Sequence, residues 1–384
     1  MNIILAPDSF KGCLTSVQVC RAMASGIQKV VPKAVITEMP MADGGEGTAA
    51  SLVAATGGTF VKDVSVMDPL GRPIHASYGV TGNGQTAVIE LAAASGLDLL
   101  KTSELDPRVT STFGTGQLIR HALDKGFRSF IICLGGSATN DGGAGLLKAL
   151  GFRFLDEEGQ ELAEGGLALN KLHTVDGSQA DPRLREADFR IAGDVNNPLI
   201  GPTGASAVFG PQKGATPPMV TALDEALRQL ADVIEQDYHL SVHNLKGAGA
   251  AGGTAAGLIA FLGAKLSSGA ALVKQTIGFD ERLLSQKPDL VLTGEGKIDV
   301  QTNFGKVIAG ICHSAQPLNI PVIALTGATS GDLNPLYQAG LTAAFAIADG
   351  PLTFVESFEQ AEKLIEKQTE QIMRVFNLNR GDYS

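Results

Sequence analysis

Six short segments combine glycines with acidic, hydroxyl or lysine side chains, which are residue types that bind and transfer anionic groups. The densest spans residues 135–145, between an apolar strand pattern and a helix pattern. A glycine-rich loop in this position directs backbone N–H groups at one point, and the helix dipole adds positive potential there. The loop also carries hydroxyl, amide and carboxylate groups on Ser137, Thr139, Asn140 and Asp141. Asp141 is a candidate Mg²⁺ ligand or proton acceptor; the alternative is a tight turn in which it caps the helix.

Three further segments place carboxylates and lysines just after short apolar runs that have the pattern of strands. They span residues 7–12, 42–48 and 293–299, with the side chains Asp8, Ser9, Lys11, Asp43, Glu46, Glu295, Lys297 and Asp299. Any one of these segments is compatible with turn chemistry alone. If the preceding strands form one parallel sheet, the segments share an edge, where clustered carboxylates need a cation or a hydroxyl-rich ligand. The pattern therefore predicts a cation site beside an anionic substrate.

Two more loops each carry one charged side chain. Lys213 lies between the turn residues of Phe-Gly-Pro-Gln-Lys-Gly and can reach a phosphate, although a single lysine is more often solvated. Asp194 follows a short strand pattern that ends at Ala192, and it is a candidate general base or metal ligand. The alternative for Asp194 is an Asx turn before Pro198.

The segment 247–253 reads Gly-Ala-Gly-Ala-Ala-Gly-Gly and formally matches the dinucleotide fingerprint. The preceding residues are too polar for a buried strand, and no acidic residue follows about 20 positions on, which argues against a dinucleotide site. Two interpretations stay open. The backbone of Gly247, Gly249, Gly252 and Gly253 could hold phosphate groups, or the small residues could let a helix pack closely, which the local pattern favours.

Several classes of protein and site are excluded by composition and by missing motifs. The chain has 384 residues, of which 44% are hydrophobic and 18% charged, so it is not disordered. Its net charge of −10 argues against a general nucleic-acid binder. No apolar run reaches membrane-spanning length, and the four scattered cysteines are typical of a reduced, cytoplasmic protein. The signatures GxSxG, HExxH, Walker A and those of protein kinases are missing.

The hydrophobic patterns predict an α/β fold made of two domains. Short strands alternate with helices over residues 1–62 and again over 286–384, which is typical of a parallel sheet. Between them, residues 63–285 begin with β-branched runs joined by turn residues, which indicates antiparallel strands. We therefore predict a discontinuous parallel-sheet domain, 1–62 and 286–384, interrupted by a large α/β domain with mixed or antiparallel strands, 63–285. The inserted domain carries the loops at 135–145, 209–214 and 247–253.

On the residues alone, the chain is best interpreted as a small-molecule enzyme that handles an anionic or phosphorylated ligand with Mg²⁺. A phosphotransferase outside the common folds fits best. A non-catalytic binder of a sugar acid or nucleotide is the competing class. The many acidic loops with lysines favour catalysis, because a binder needs fewer ionisable groups.

Six segments in series resemble motifs of the type I glycerate kinase family and occur in that family's order. They are residues 7–12, 42–48, 135–145, 209–214, 247–253 and 293–302. The resemblance implies a Rossmann-like domain interrupted by a second α/β domain. It also implies Mg²⁺- and ATP-dependent phosphorylation of D-glycerate in the cytosol, usually to 2-phosphoglycerate, in glucarate/galactarate or glyoxylate utilisation. The sequence leaves open 3-phosphorylation and the oligomeric state.

The resemblance also suggests roles for individual residues. Glycerate would be bound by Asp8, Ser9, Lys11, Ser137, Thr139 and Asn140. Asp194 or Asp141 would orient or deprotonate the attacking hydroxyl, with Lys11 as a further catalytic group. The ATP phosphates would be held by Lys213 and by the backbone of Gly247, Gly249, Gly252 and Gly253. The Mg²⁺ ligands would come from Asp43, Glu46, Glu295 and Asp299.

Overall fold

A computed structural model describes residues 1–298 and 307–378. The strands are β1 (Asn2–Leu5), β2 (Val35–Glu38), β3 (Thr59–Met67), β4 (Pro73–Val80), β5 (Thr86–Glu90), β6 (Ser129–Cys133), β7 (Arg153–Leu155), β8 (Thr174–Asp176), β9 (Asp188–Ala192), β10 (Lys265–Ser267), β11 (Leu290–Ile298), β12 (Val322–Thr329) and β13 (Leu341–Ala346).

The α-helices alternate with these strands near both ends of the chain and cluster in its middle. They are α1 (Ser16–Val30), α2 (Thr48–Thr56), α3 (Ala92–Ser95), α4 (Phe113–Asp124), α5 (Ala144–Ala149), α6 (Ala205–Phe209), α7 (Pro217–Tyr238), α8 (Thr254–Leu262), α9 (Gly269–Thr276), α10 (Phe279–Gln286), α11 (Val307–Ala315), α12 (Asn334–Gln338), α13 (Phe354–Glu359) and α14 (Ala361–Leu378).

The chain forms two compact units. Unit 1 comprises Met1–Asp43, Ala50–Gly57 and the chain from Ala270 onward, and unit 2 comprises Gly44–Ala49 and Gly58–Gly269. The domain boundaries predicted above, at residues 62/63 and 285/286, stay a prediction.

Unit 1 is built on a parallel sheet with the strand order β13-β12-β11-β1-β2. Its core is formed by apolar side chains of these strands together with the buried faces of α1 and α14. Helix α1 begins at a capping box between Thr15 and Gln18, and it buries Val19, Met23 and Ile27 at helical spacing. At Gly26 the two helices approach closely, because a Cβ there would lie 2.4 Å from the carbonyl oxygen of Glu366 on α14.

Unit 2 is built on a mixed sheet with the strand order β10-β9-β6-β5-β4-β3. Strands β10, β9, β6 and β5 are parallel, and β4 and β3 continue the sheet antiparallel, as the turn residues predict. Phe130 on β6 and Phe189 on β9 stack with ring centroids 4.8 Å apart in the core. A separate antiparallel pair joins β7 and β8. The predicted fold class, a parallel-sheet α/β unit interrupted by a second α/β unit with mixed strands, is thus confirmed.

One predicted loop is a strand in the structure. The segment that follows residue 293 was expected to leave the sheet, but β11 runs on to Ile298, with Glu295 opposite Thr326 and Lys297 opposite Ala328 of β12. Gly294 permits this extension, because a Cβ at that position would lie 2.3 Å from the carbonyl oxygen of Leu325. The extension places Glu295 and Lys297 on a rigid element.

Candidate active site

A cavity of about 460 Å³ lies in unit 1, at the edge where the parallel strands end. Asp8 follows β1, Asp43 follows β2, and Glu295 and Lys297 are among the last residues of β11, so each of these strands supplies at least one charged group. Lys11 completes the polar part of the lining. The carboxyl edge of a parallel sheet is where open α/β proteins bind their ligands. The structure therefore brings these predicted residues together.

The carboxylates of this cavity repel one another. Asp8 is 6% exposed, and its Oδ1 accepts a hydrogen bond of 2.6 Å from the backbone N–H of Ser9. Burial is the largest cause that raises the pKa of Asp8, to about 7, and the nearby charges of Asp43 and Glu295 raise it further against the opposing effect of Lys11. Burial and the neighbouring carboxylates therefore favour the protonated form of Asp8.

Lys11 forms an ion pair with Asp43, in which Nζ donates to Oδ2 over 2.8 Å. Burial, the largest single cause, lowers the pKa of Lys11, but the charge and hydrogen bond of Asp43 together with the charges of Asp8 and Glu295 raise the pKa overall. The lysine stays a cation, and its side chain is 71% exposed. An anion that enters the cavity can therefore reach this side chain from solvent.

The donor set of the cavity suits a Mg²⁺ ion that arrives with phosphate groups. Mg²⁺ is usually held by one or two carboxylates while it keeps water and substrate oxygens as its other ligands. Asp43, Glu295 and Asp8 supply such carboxylates. Within residues 1–298 and 307–378, no group of three or more acidic, histidine or cysteine side chains is close enough to hold a metal ion by itself. Asp299, the fourth predicted ligand, lies outside the described residues.

Glu46, also predicted as a metal ligand, belongs to unit 2, where its side chain is exposed. The segment around it is held by Glu90, which ends β5 and which the motif search missed. The Glu90 carboxylate accepts a 2.8 Å hydrogen bond from the Ala49 N–H, and it also accepts from the N–H groups of Gly47 and Thr48. Burial raises the pKa of Glu90. Like the predicted acids, Glu90 lies at the end of an apolar strand, and this pattern could have identified it from the sequence.

A second group of predicted residues meets inside unit 2. Lys213 is 1% exposed, and its Nζ donates to Ser137 Oγ over 2.8 Å and to the Thr139 carbonyl oxygen over 2.6 Å. Burial lowers the pKa of Lys213 to about 7. The alternative of a solvated surface lysine is thus excluded. In this structure Lys213 links the 209–214 segment to the 135–145 loop.

Thr139 and Asn140 of the 135–145 loop are fully buried. Asn140 Nδ2 donates to Ser206 Oγ over 3.0 Å. Among the residues that the structure describes, Thr139 Oγ1 and Asn140 Oδ1 are buried polar atoms that have no hydrogen-bond partner. Buried polar atoms without partners are costly and are found where a ligand or water completes the site. Ser137, at 6% exposure, is the member of this group nearest to solvent.

Asp141 is a structural carboxylate in this arrangement. Its Oδ2 accepts hydrogen bonds from the Thr112 N–H (2.9 Å), the Thr112 hydroxyl (2.8 Å) and the Gly145 N–H (3.2 Å), and its Oδ1 accepts from the Gly143 N–H (3.1 Å). Burial raises its pKa, while the Thr112 donors oppose this shift. Because donors surround both oxygens, the geometry favours the predicted alternative in which Asp141 fixes the start of α5.

Replacement of Asp141 by asparagine is expected to lower the free energy of unfolding by about 2 kcal/mol, because any orientation of the amide turns its NH₂ group toward a buried donor. Urea denaturation of both proteins at pH 7.5 measures the change. Asp156→Asn is the matched control, since Asp156 accepts from the Glu158 and Gln160 N–H groups in an exposed turn. An equal loss in both variants would contradict a special role for Asp141.

Asp194 lies two residues beyond β9, at the carboxyl edge of the unit 2 sheet. It is partly buried, and its Oδ1 accepts a 3.0 Å hydrogen bond from the Gly269 N–H. This backbone contact orients the carboxylate at the edge of the sheet. Asp194 stays a predicted base, whereas Asp141 is the carboxylate that donors surround on both oxygens.

The glycines of segment 247–253 serve packing in this structure. The N–H groups of Gly247 and Gly249 both donate to the Asn197 carbonyl oxygen, and that of Gly253 donates to the Gly249 carbonyl oxygen. A Cβ at Gly252 would lie 2.1 Å from the Thr139 carbonyl oxygen, so only glycine fits against the 135–145 loop. These contacts correspond to the close-packing alternative. Phosphate binding by this backbone stays a prediction.

Comparison with known proteins gives a consistent result. A family model described as the glycerate kinase family matches residues 3–377. The chain is 46% identical to a glycerate kinase of Bacillus subtilis over 97% of both chains, and 44% identical to a glycerate 2-kinase of Escherichia coli over 94% of both. A crystal structure of a protein assigned as glycerate kinase 2 from Salmonella typhimurium superposes with a TM-score of 0.89, at 43% identity and 99% coverage of both chains.

Proposed function

The chain belongs to the glycerate kinase family, and from this premise we propose that it transfers the γ-phosphoryl group of ATP to D-glycerate and forms 2-phosphoglycerate. The observation that carries the proposal is the unit 1 cavity, which is lined by the carboxylates of Asp8, Asp43 and Glu295 together with Lys11 and Lys297. Clustered carboxylates repel one another, and a divalent cation that enters with a polyanion relieves this repulsion.

Phosphoryl transfer depends mainly on positioning and on neutralising the charge of the phosphate oxygens. We propose that Lys11 and Lys297 bind anionic oxygens, with the hydroxyl of Ser9 as a further donor. Asp43 and Glu295 would hold Mg²⁺, which supplies charge neutralisation on the phosphate groups when bound. Asp8 would stay ionised once a cation is present and would help to orient the substrate.

In unit 2 we propose that Asp194 orients the attacking hydroxyl of glycerate and accepts its proton. Ser137 is proposed as a direct contact to glycerate, because its exposure is the greatest in its group. Thr139, Asn140 and Asp141 would support it by holding the loop. Lys213, with its pKa lowered to about 7 by burial, would keep the Ser137 hydroxyl in place.

The direct test is incubation of the purified protein with D-glycerate and Mg·ATP, followed by ³¹P NMR of the products. We expect stoichiometric ADP and a phosphate ester on the C2 oxygen, and no ester when L-glycerate replaces D-glycerate. An ester on C3 would support the alternative of a 3-kinase. Binding of D-glycerate or ATP without ADP formation would instead indicate a non-catalytic sugar-acid or nucleotide binder.

The physiological setting follows as part of the same proposal. A D-glycerate kinase with four free cysteines suits the reducing cytoplasm. It would act on D-glycerate released during organic-acid breakdown, as in glucarate/galactarate or glyoxylate utilisation. Of the described helices, none combines the length and the apolar character that crossing a bilayer requires.

A further inference from the structure

One wall of the unit 1 cavity is aromatic. Phe354 and Phe358 lie one turn apart on α13, and their ring centroids are 4.3 Å apart with an angle of 39° between the planes. Both rings line the cavity, together with the buried ring of Phe10. Phe354 is nevertheless 75% exposed, which is unfavourable for a side chain of this size in water. The wall therefore has an apolar surface that a flat ligand could cover.

The aromatic wall is directly connected to the charged groups of the same cavity. Gly12 has φ +74°, and a Cβ there would lie 3.4 Å from the Phe358 ring, so the chain passes against this ring immediately after Lys11. The Cys13 thiol donates to the Phe358 carbonyl oxygen over 3.2 Å. Lys11, Gly12 and Cys13 thus connect the charged part of the cavity to the Phe358 ring, and a ligand that extends from the rings to Lys11 runs along these three residues.

The side chains beside the rings offer little for hydrogen bonding. Among the described residues that line this part of the cavity, Ser357 is polar. The others are apolar: Ile347, Ala348, Ala361 and Leu364. The Ser357 hydroxyl already donates to the Thr353 carbonyl oxygen over 2.9 Å. Recognition at this wall must therefore come from contact with a flat apolar face, while charge recognition comes from Lys11 and Lys297.

We propose that Phe354 and Phe358 form the stacking surface for the nucleobase of the phosphoryl donor, whose triphosphate extends to Lys11 and Lys297. This assignment rests on the proposed function, because it takes a nucleoside triphosphate as one substrate. Cavity volume agrees, since about 460 Å³ is within the usual range for small-molecule sites. Because stacking accepts any base, the enzyme uses ATP and GTP with kcat/KM values within about tenfold of each other.

The absence of tryptophan from the 384-residue sequence provides a direct probe. In the Phe354→Trp variant the introduced indole is the sole tryptophan, and its fluorescence reports stacking. We expect quenching by ATP and by adenosine, and none by tripolyphosphate or D-glycerate. Tyr337→Trp is the matched control, because residue 337 is an exposed aromatic position of unit 1 outside the cavity lining; its fluorescence should not respond to any of these compounds.

Kinetics of Phe354→Ala supply the second measurement. Loss of one stacking partner should raise the KM for ATP roughly 5- to 150-fold, with the KM for D-glycerate nearly unchanged. An unchanged KM for ATP in an enzyme that still phosphorylates D-glycerate, with no quenching in Phe354→Trp, would refute the stacking surface and leave the proposed function standing. No turnover with any nucleotide would instead refute the proposed function, while quenching by adenosine would still support the surface.

The other explanation for an exposed phenylalanine is a contact between two copies of the chain, and size-exclusion chromatography of Phe354→Ala tests it. If the variant elutes as a smaller species than the natural chain and its KM for ATP is unchanged, the ring belongs to a contact between two copies and the proposal is wrong. The same elution volume for both proteins, together with the raised KM, supports the nucleobase surface.

Discussion

The Asp194→Asn variant is expected to show a kcat for D-glycerate phosphorylation that is about 100-fold or more below that of the natural chain. Asparagine has the shape of aspartate and its carbonyl oxygen can still accept the hydrogen bond from the Gly269 N–H. It cannot accept the proton of the attacking hydroxyl. The loss should therefore appear in kcat, with the KM for D-glycerate and for ATP changed little, and steady-state kinetics at saturating Mg²⁺ measures it.

Asp188→Asn is the matched control for this experiment. Asp188 begins the strand β9 that ends before Asp194, and it is exposed and paired with Lys265 over 3.4 Å. We expect this variant to have a kcat close to that of the natural chain. Near-normal turnover of Asp194→Asn would exclude Asp194 as the base. Recovery of its activity at high Mg²⁺ would indicate a metal ligand instead of a base.

The Asp8→Asn variant is expected to be more stable than the natural chain at pH 8 and to have lower activity at the same pH. The pKa of Asp8 is about 7 in the folded protein against an ordinary value of 3.8. Between these two values the folded state holds a proton that the unfolded state has lost, so the free energy of unfolding decreases as the pH rises from about 4 to about 7. Asparagine removes this penalty, which is on the order of 4 kcal/mol above pH 7.

Thermal unfolding of both proteins without ligand at pH 4.5 and pH 8 measures this effect. The two unfolding temperatures should differ little at pH 4.5, where Asp8 is protonated in the folded state, and the variant should be higher at pH 8. The kcat/KM for D-glycerate should decrease about 10- to 100-fold, as expected for the loss of one charge-assisted contact. A variant that is less stable at pH 8 would show that the Asp8 carboxylate is favourably held in the free protein.

The sequence was most informative about residues that follow parallel strands, because such residues meet at one edge of the sheet. Asp8, Asp43 and Glu295 were predicted to share an edge because they follow apolar strands, and parallel pairing of those strands does bring them to one cavity. The alternation of strand and helix patterns likewise predicted the fold class. Such patterns succeed because strand direction and burial are local properties of the chain.

The sequence was least informative where long-range packing decides the role of a residue. Nothing local shows that Lys213 is buried against Ser137, which is 76 positions away, or that Asp141 is surrounded by donors from Thr112. Phe354 and Phe358 have the spacing of a core stripe, and their ring positions depend on how α13 meets the sheet edge. Glu295 was placed in a loop because it follows the apolar run that ends at Thr293, whereas Gly294 here permits close strand pairing and β11 continues.

The carboxylate of Glu90 has a consequence for how substrates bind. It occupies the N–H groups of Gly47, Thr48 and Ala49, which at the start of a helix are groups that an external anion would otherwise seek. The chain thus provides an internal anion for this segment, and these hydrogen bonds order the glycine-rich turn. If Glu46 binds a metal ion as predicted, we expect the ordered turn to lower the conformational-entropy cost of that binding.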